Sequence, residues 1–551
     1  MAVRVFTFLV GGKAGEGVKK AGSVAAELFA SMGRRVFQMD DYQSLIRGGH
    51  NFSVVSTSAG AVDSHFMSAD LVVALDARSY EVHRGHVRDG GTIVHNSDTV
   101  DGDGVGVAMT TEAEKLPNPE LRVGVAAVSV LGAAIGLDRE ALARCVADGY
   151  GRDTERNVAY ATAIYDAVSG KLGGRFSLGR GPGRLPILSG NQAIALGAAA
   201  AGLDLYLAYP MTPSSSLLHY LAAHERDLGV VTMHPESEIA VANIAVGAAF
   251  SGARVMVGTS GGGYALMEEA LSLAGMTEAP LLTVLSSRPG PSTGVPTYTE
   301  QADLRFALGQ GHGEFPRVVA SPGSISEAFD LAAEMLDLVW RFQAVGILLT
   351  EKHLSESAAT VEIDVDGAAW ADPLIHGGGD YMRYRDTGSG VSPMLFPPSK
   401  GVVKWNSYEH DEAGITTEDG PTIAAMHDKR NRKGDAMVGY IRERRTVNRF
   451  GSSGPPIVTY GSTTMSVLEA VRAGGIEARV VQPVYLEPFP AWELESLRDE
   501  RPVVVEQSST GQFAALLREK CGIEPAAVVR RYDGRPFDPD ELARELERSL
   551  G

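Results

Sequence analysis

Residues 205–213, LYLAYPMTP, decide how this chain reads: an apolar, strand-like run stops there on polar punctuation, and the same event recurs further on. VVTMHP (230–235) stops at Glu236-Ser237-Glu238, RVMVGT (254–259) runs into Ser260-Gly261-Gly262-Gly263, and LLTVLSS (281–287) ends at Arg288. Each run is short and apolar on both faces, and a helix-like segment precedes the next, which is the pattern of a buried parallel sheet. Ligands of such sheets sit beyond the carboxyl ends of the strands, where strand order reverses. The hydroxyl of Thr212, the acid Glu238, the glycine turn at Gly261 and the guanidinium of Arg288 are therefore expected to share one crevice.

Working outward, 551 residues allow several domains at about 100–200 residues each. Residues 1–175 open as strand, glycine-rich turn, helix and strand, and form a first α/β domain. Residues 176–189 are glycine-rich and basic and read as a linker, and 190–355 form the central domain. Residues 356–450 mix Pro, Gly, Asp, His and aromatics without a period and read as a largely irregular connector. Strand–helix alternation resumes in 451–551 as a third domain, so the fold class is α/β with several doubly wound domains.

The first glycine turn invites a dinucleotide-site reading, with Asp40 closing the second strand. However, Gly12, Gly15 and Gly17 are spaced G-x-x-G-x-G, and Lys19 does not directly follow Gly17 as a Walker A loop requires. Phosphate binding and a tight structural turn both remain open for it.

Composition narrows the function. The formal charge of −18 argues against a nucleic-acid groove or an anionic-membrane patch. Cys145 and Cys521 are the only cysteines, too few for an iron–sulfur cluster or a zinc site, so any redox centre is expected on a partner. MAVRVFTFLVGG reads as a first strand and not a signal peptide, no apolar stretch is long enough to span a bilayer, and the expected location is cytoplasmic.

Taken together, Gly190-Asn191-Gln192-Ala193, Tyr209-Pro210-Met211-Thr212-Pro213-Ser214-Ser215, Glu238 ahead of a small-residue helix, and Ser287-Arg288 resemble the α subunits of 2-oxoacid:ferredoxin oxidoreductases. The first domain is similar to the γ subunit of that family, including Gly12 to Gly17 and Arg47-Gly48-Gly49-His50, and the last resembles a transketolase C-terminal domain. A γ part fused ahead of an α part resembles 2-oxoglutarate-type members. The resemblance implies oxidative decarboxylation of a 2-oxoacid on thiamine diphosphate, acyl transfer to coenzyme A and electron delivery to ferredoxin, or the reverse carboxylation. Pyruvate or a branched-chain 2-oxoacid is an alternative substrate, and a non-catalytic coenzyme A or dinucleotide scaffold is an alternative class.

The same resemblance assigns the residues, each beside a plainer reading. Glu238 would bond the pyrimidine N1′ of the cofactor, although an acid in the first turn of a helix is favourable against the dipole alone. Arg288 would clamp the substrate's carboxylate or oxo group, with Thr212 as second donor; the plain readings are an ordinary ion pair and a helix N-cap followed by Pro213. Pro210 and Gly261 would line the cofactor, although glycines there also permit a sharp reversal. Tyr209 and Thr297 would meet the substrate, and Gly12, Gly15, Gly17 and Arg47 are the candidate coenzyme A or phosphate loop. The metal-binding G-D-G motif of thiamine enzymes has one counterpart, Gly102-Asp103-Gly104, which reads as a surface turn. Mg²⁺, the diphosphate and a [4Fe–4S] cluster are thus expected on a β subunit in an (αβ)₂ assembly.

Overall fold

The computed structural model describes residues 5–44, 49–119, 122–309 and 311–551. Three sheets organise them. The central sheet runs, edge to edge, Tyr485–Glu487, Arg317–Ala320, Val345–Glu351, Leu281–Ser287, Val255–Thr259, Leu205–Leu207 and Val231–Met233. All neighbours are parallel except Tyr485–Glu487, which comes from the last domain and pairs antiparallel with Arg317–Ala320. The chain leaves Leu205–Leu207 toward one edge, returns, and leaves Val255–Thr259 toward the other. Strand order therefore reverses between these two neighbours, and their carboxyl ends open into a crevice.

The run VVTMHP departs from expectation. Its strand, Val231–Met233, is the sheet's edge, with Val231 58% and Met233 44% exposed. Apolar composition marks a strand as fit for burial, but only the sheet order decides whether a neighbour covers it.

In the first domain, Phe6–Lys13 and Arg35–Asp41 are separated by His50–Ser58, antiparallel to both. The glycine turn after Phe6–Lys13 therefore does not belong to a dinucleotide-binding βαβ unit, whose strands are parallel. The helix Val123–Ala134 is buried along its whole length, as its unbroken small apolar sequence requires. Within 176–189 the structure adds a short strand, Ile187–Ser189, which pairs with Ala358–Thr360, and Ala358–Thr360 in turn pairs with Arg35–Asp41. The first sheet's edge is thereby covered by segments flanking the central domain.

The last domain has Val447–Phe450, Arg479–Pro483, Pro456–Val458, Val503–Glu506 and Ala527–Arg530 in that order. It is fastened to the central domain by Glu351, whose Oε1 accepts the Ser462 amide at 2.8 Å; burial pushes this carboxyl up to about 7. Among the described residues no helix is long and apolar enough to cross a membrane.

The largest correction concerns 356–450. Residues 361–419 are mainly irregular, but Gly420–Arg442 is a 23-residue helix, capped by the Asp419 side chain on the Thr422 amide. Its periodicity was hidden because the buried face is cationic: Lys429, Arg430 and Lys433 lie between Met426, Met437 and Ile441. Lys429 Nζ donates to Glu278 Oε1 at 2.7 Å and Lys433 Nζ to Glu278 Oε2 at 2.8 Å, all three side chains being buried. Arg383, also buried, donates to the Glu278 carbonyl at 2.8 Å. Burial alone would raise the Glu278 carboxyl, but Lys433, Lys429 and Arg383 hold it well below the usual carboxylate range.

Replacing Glu278 by Gln strands two buried ammonium groups and is expected to destabilise the fold by about 3–5 kcal/mol. Because the folded carboxyl is depressed, its contribution is present above the unfolded value and is lost as pH falls through the folded one. Thermal unfolding should therefore show the largest gap between wild type and variant near neutrality and a shrinking gap in acid.

Candidate functional site

The crevice is built from the loops that follow Leu205–Leu207, Val231–Met233, Val255–Thr259 and Leu281–Ser287. The first carries Tyr209, Pro210 and Thr212. It is held as a turn by the Ser214 amide on the Met211 carbonyl at 2.9 Å, and from outside by buried Asn191, whose Nδ2 donates to the Pro213 carbonyl at 2.9 Å. The helix beyond begins at Ser215 with Ser214 as its N-cap residue, so Thr212 is not its cap and Pro213 is not its first residue. The Met211–Ser214 turn displaces the start of the helix and leaves the Thr212 carbonyl to accept from Arg288 Nη1 at 2.8 Å. Thr212 and Arg288 are thus neighbours across the crevice, brought together by strands 76 residues apart in sequence.

Glu238 is the first residue of helix Glu238–Phe250, with Ser237 as N-cap accepting the Ala240 amide. Its side chain is 3% exposed, and Oε1 is buried without a hydrogen-bond partner. The dipole of its helix explains an acid at this position but not an oxygen turned away from every protein donor. The wall it faces is Gly263, where a Cβ would stand 2.6 Å from Glu238 Oε1 and collide with Thr259. Gly262 lies near Met211, with 3.9 Å from a built Cβ to Sδ, and a Cβ on Gly261 would meet the Asp303 carboxylate at 2.7 Å. The glycine turn is therefore a cradle between the Thr212 loop, Glu238 and Asp303. Close approach, and not only chain reversal, requires glycine at 263.

Asp303 was not singled out from the sequence, since it lies in a stretch with no strand-end signal. Burial raises its carboxyl, opposed by the bond from Ser287 and the charge of Arg288. Burial lowers Arg288, with Asp303 opposing. His234 also lacks a signal in the sequence; its ring packs edge-on against Tyr209 at 5.6 Å between centroids.

Other expected residues lie elsewhere. Thr297 is buried with an unpartnered Oγ1 and lines a small hollow with Asp41, Lys352, His353 and Gly534, where the first and last domains meet the central one. At the first glycine turn, Gly15 and Gly17 have φ of +100° and +80°. A Cβ on Gly12 would meet Glu16 Oε2 at 2.7 Å, and the same oxygen accepts the Lys13 amide at 2.7 Å. The turn thus satisfies one of its amides with its own carboxylate, which supports the tight-turn reading. Arg47 lies outside the described residues. Gly102-Asp103-Gly104 is exposed, as a surface turn would be.

The exposed side of helix Glu238–Phe250 carries two isoleucines as well as Asn243. Ile239 is 54% exposed and Ile244 38%, and Val231 and Met233 of the edge strand are exposed too.

The family profile described as pyruvate flavodoxin/ferredoxin oxidoreductase, thiamine diP-bdg, matches residues 196–428, and that described as pyruvate ferredoxin/flavodoxin oxidoreductase matches residues 7–167. The chain is 30% identical to 2-oxoacid:ferredoxin oxidoreductase 2, subunit alpha, of Aeropyrum pernix, over 99% of this chain and 97% of that one. It is 32% identical to 2-oxoglutarate oxidoreductase subunit KorA of Mycobacterium tuberculosis, over 67% of this chain and 58% of the relative. Among solved structures, 2-oxoglutarate:ferredoxin oxidoreductase from Magnetococcus marinus with 2-oxoglutarate, coenzyme A and succinyl-CoA bound matches with a TM-score of 0.90 and 26% identity, over the full length of both chains.

Space at the cradle is tested by alanine. Gly263→Ala forces Glu238 and Thr259 apart and is expected to lower stability by about 1–3 kcal/mol, whereas Gly262→Ala, with open space before it, leaves the thermal midpoint unchanged or raised.

Proposed function

The chain belongs to the α subunits of the 2-oxoacid:ferredoxin oxidoreductase family, thiamine-diphosphate-binding enzymes, and from that premise we propose that its 2-oxoacid is 2-oxoglutarate. In the proposed reaction, 2-oxoglutarate, coenzyme A and two oxidised ferredoxins give succinyl-CoA, CO₂, two reduced ferredoxins and a proton, or the reverse. The observation that carries the site assignment is the buried, unpartnered Oε1 of Glu238 beside Gly263. A pyrimidine ring nitrogen carrying or receiving a proton supplies the partner this oxygen lacks, and glycine at 263 leaves room for a flat ring to approach.

When bound, thiamine diphosphate supplies the electron sink that cleavage next to a 2-oxo group needs. Glu238 Oε1, buried beside Gly263, would hold or move the proton at the pyrimidine nitrogen. Arg288 and Thr212 grip the anionic end of the substrate, the guanidinium being suited to bidentate carboxylate binding. Pro210, Gly261 and Tyr209 shape the walls.

The remaining groups belong to a β subunit in an (αβ)₂ particle, which would contribute Mg²⁺, the diphosphate site and a [4Fe–4S] cluster that passes electrons to ferredoxin. Two observations support this division. A four-cysteine cluster cannot be built from Cys145 and Cys521. Val231 and Met233 on the edge strand and Ile239 and Ile244 on the helix after it are exposed apolar side chains, the proposed rim for a partner to cover. The 2-oxoglutarate assignment draws on the named substrates of the Mycobacterium tuberculosis and Magnetococcus marinus proteins; turnover with pyruvate and not 2-oxoglutarate would overturn it.

Glu238→Gln in the co-purified αβ complex is expected to lower 2-oxoacid-dependent dye reduction at least about 100-fold while size-exclusion profiles stay unchanged; full turnover would refute the assignment. Ile239→Asp places a charge in the proposed rim and is expected to abolish co-purification of the β subunit while leaving the thermal midpoint of the isolated α chain as in wild type.

A further inference from the structure

We propose that Asp303 is the positioning residue of the Arg288 clamp, fixing where and how firmly the substrate's anionic end is held. The inference rests on reading Arg288 as that clamp. Asp303 Oδ2 accepts from Ser287 Oγ at 2.7 Å, and Ser287 is the buried last residue of the strand that delivers Arg288. The bond therefore ties down the backbone immediately before the guanidinium. The charges of Asp303 and Arg288 also act on each other, so the pair is linked by charge as well as through the Ser287 bond.

The carboxylate lies against Gly261, with a built Cβ 2.7 Å from Oδ2 and 2.9 Å from Oδ1, while Glu238 lies against Gly263. Two carboxyl groups thus bracket a single glycine turn, each in a notch that a side chain would fill. Glu238 faces the proposed cofactor, and Asp303 stands on the side of Arg288.

A plainer account makes Asp303 the cap of helix Leu304–Gly309, which follows it. A capping aspartate spends its carboxylate on the first free amides of its own helix. Here the Arg305 amide is taken by Gln512 Oε1 at 2.9 Å, and the Asp303 carboxylate turns away to Ser287. Gln512 also donates to the Ala302 carbonyl at 2.7 Å, so the backbone of this segment is held from the last domain. The Asp303 side chain is left to serve the strand end and the guanidinium.

The experiment uses the intact αβ complex with Asp303→Asn, Arg288→Lys and the double variant. Asn keeps the size and an acceptor for Ser287 but removes the charge. Asp303→Asn is expected to raise the 2-oxoacid KM about tenfold, the scale of losing one charged partner, with kcat, the coenzyme A KM and the thermal midpoint little changed. The double variant should be no worse than Arg288→Lys alone, because both changes act through one group. Ser287→Ala, which cuts the same link without altering charge, should shift KM in the same direction and covers the case in which Asp303→Asn fails to fold. If Arg288→Lys raises KM while Asp303→Asn and Ser287→Ala do not, or if the effects multiply independently, the proposal is overturned and the clamp stands. If Arg288→Lys itself leaves KM unchanged, the clamp reading falls and takes this one with it.

Discussion

Everything in the site depends on the place where the central sheet changes direction. The connections from Leu205–Leu207 and Val255–Thr259 diverge, so no crossover covers the carboxyl ends of these neighbouring strands. Into that gap the flanking strands deliver Glu238 and Arg288, while the two strands themselves deliver the Thr212 loop and the glycine turn. The arrangement costs stability. A buried oxygen without a partner, such as Glu238 Oε1, carries a penalty of about 1–3 kcal/mol, and a ligand donor removes it on binding.

The helix Gly261–Thr277 ties this crevice to the rest of the molecule. Its amino end is the glycine turn bracketed by Asp303 and Glu238; its carboxyl end is Glu278, at φ 52°, buried between Lys429, Lys433 and Arg383. One end of this helix is thus held by buried ion pairs, and the other is flanked by two carboxyl groups. The segment 361–419 and the helix Gly420–Arg442 supply the cations, so a stretch that looks like a connector braces the far end of the helix that begins at the glycine turn. Buried pairs of this kind add little net stability over apolar packing, yet losing one partner is costly, which makes their register hard to exchange.

How much of this could be read in advance follows from what each residue's neighbours contribute. Glu238, Arg288, Thr212 and Gly261 were legible because each follows an apolar run of strand length, and strand ends are where open α/β sheets place ligands. Asp303 was not legible: it is brought to the crevice by a hydrogen bond to Ser287, which has no trace in local pattern. The helix Gly420–Arg442 was missed because hydropathy scores Lys429 and Lys433 as surface, whereas Glu278, about 150 residues earlier, makes their burial possible. The capping role weighed for Thr212 did not arise because the Met211–Ser214 turn intervenes, a detail of a few dihedral angles.

The amino-acid sequence by itself determined the α/β class, the four strands of the central sheet around the crevice and the motif that marks a 2-oxoacid:ferredoxin oxidoreductase α subunit, since these rest on local periodicity and punctuation. Only the tertiary structure decided which strand is an edge, why Gly263 must be glycine, where Thr297 stands and how a cationic helix is buried. Those outcomes depend on which distant groups meet, and pairing across the fold is set by sheet order and complementary charge, not by residues adjacent in the chain.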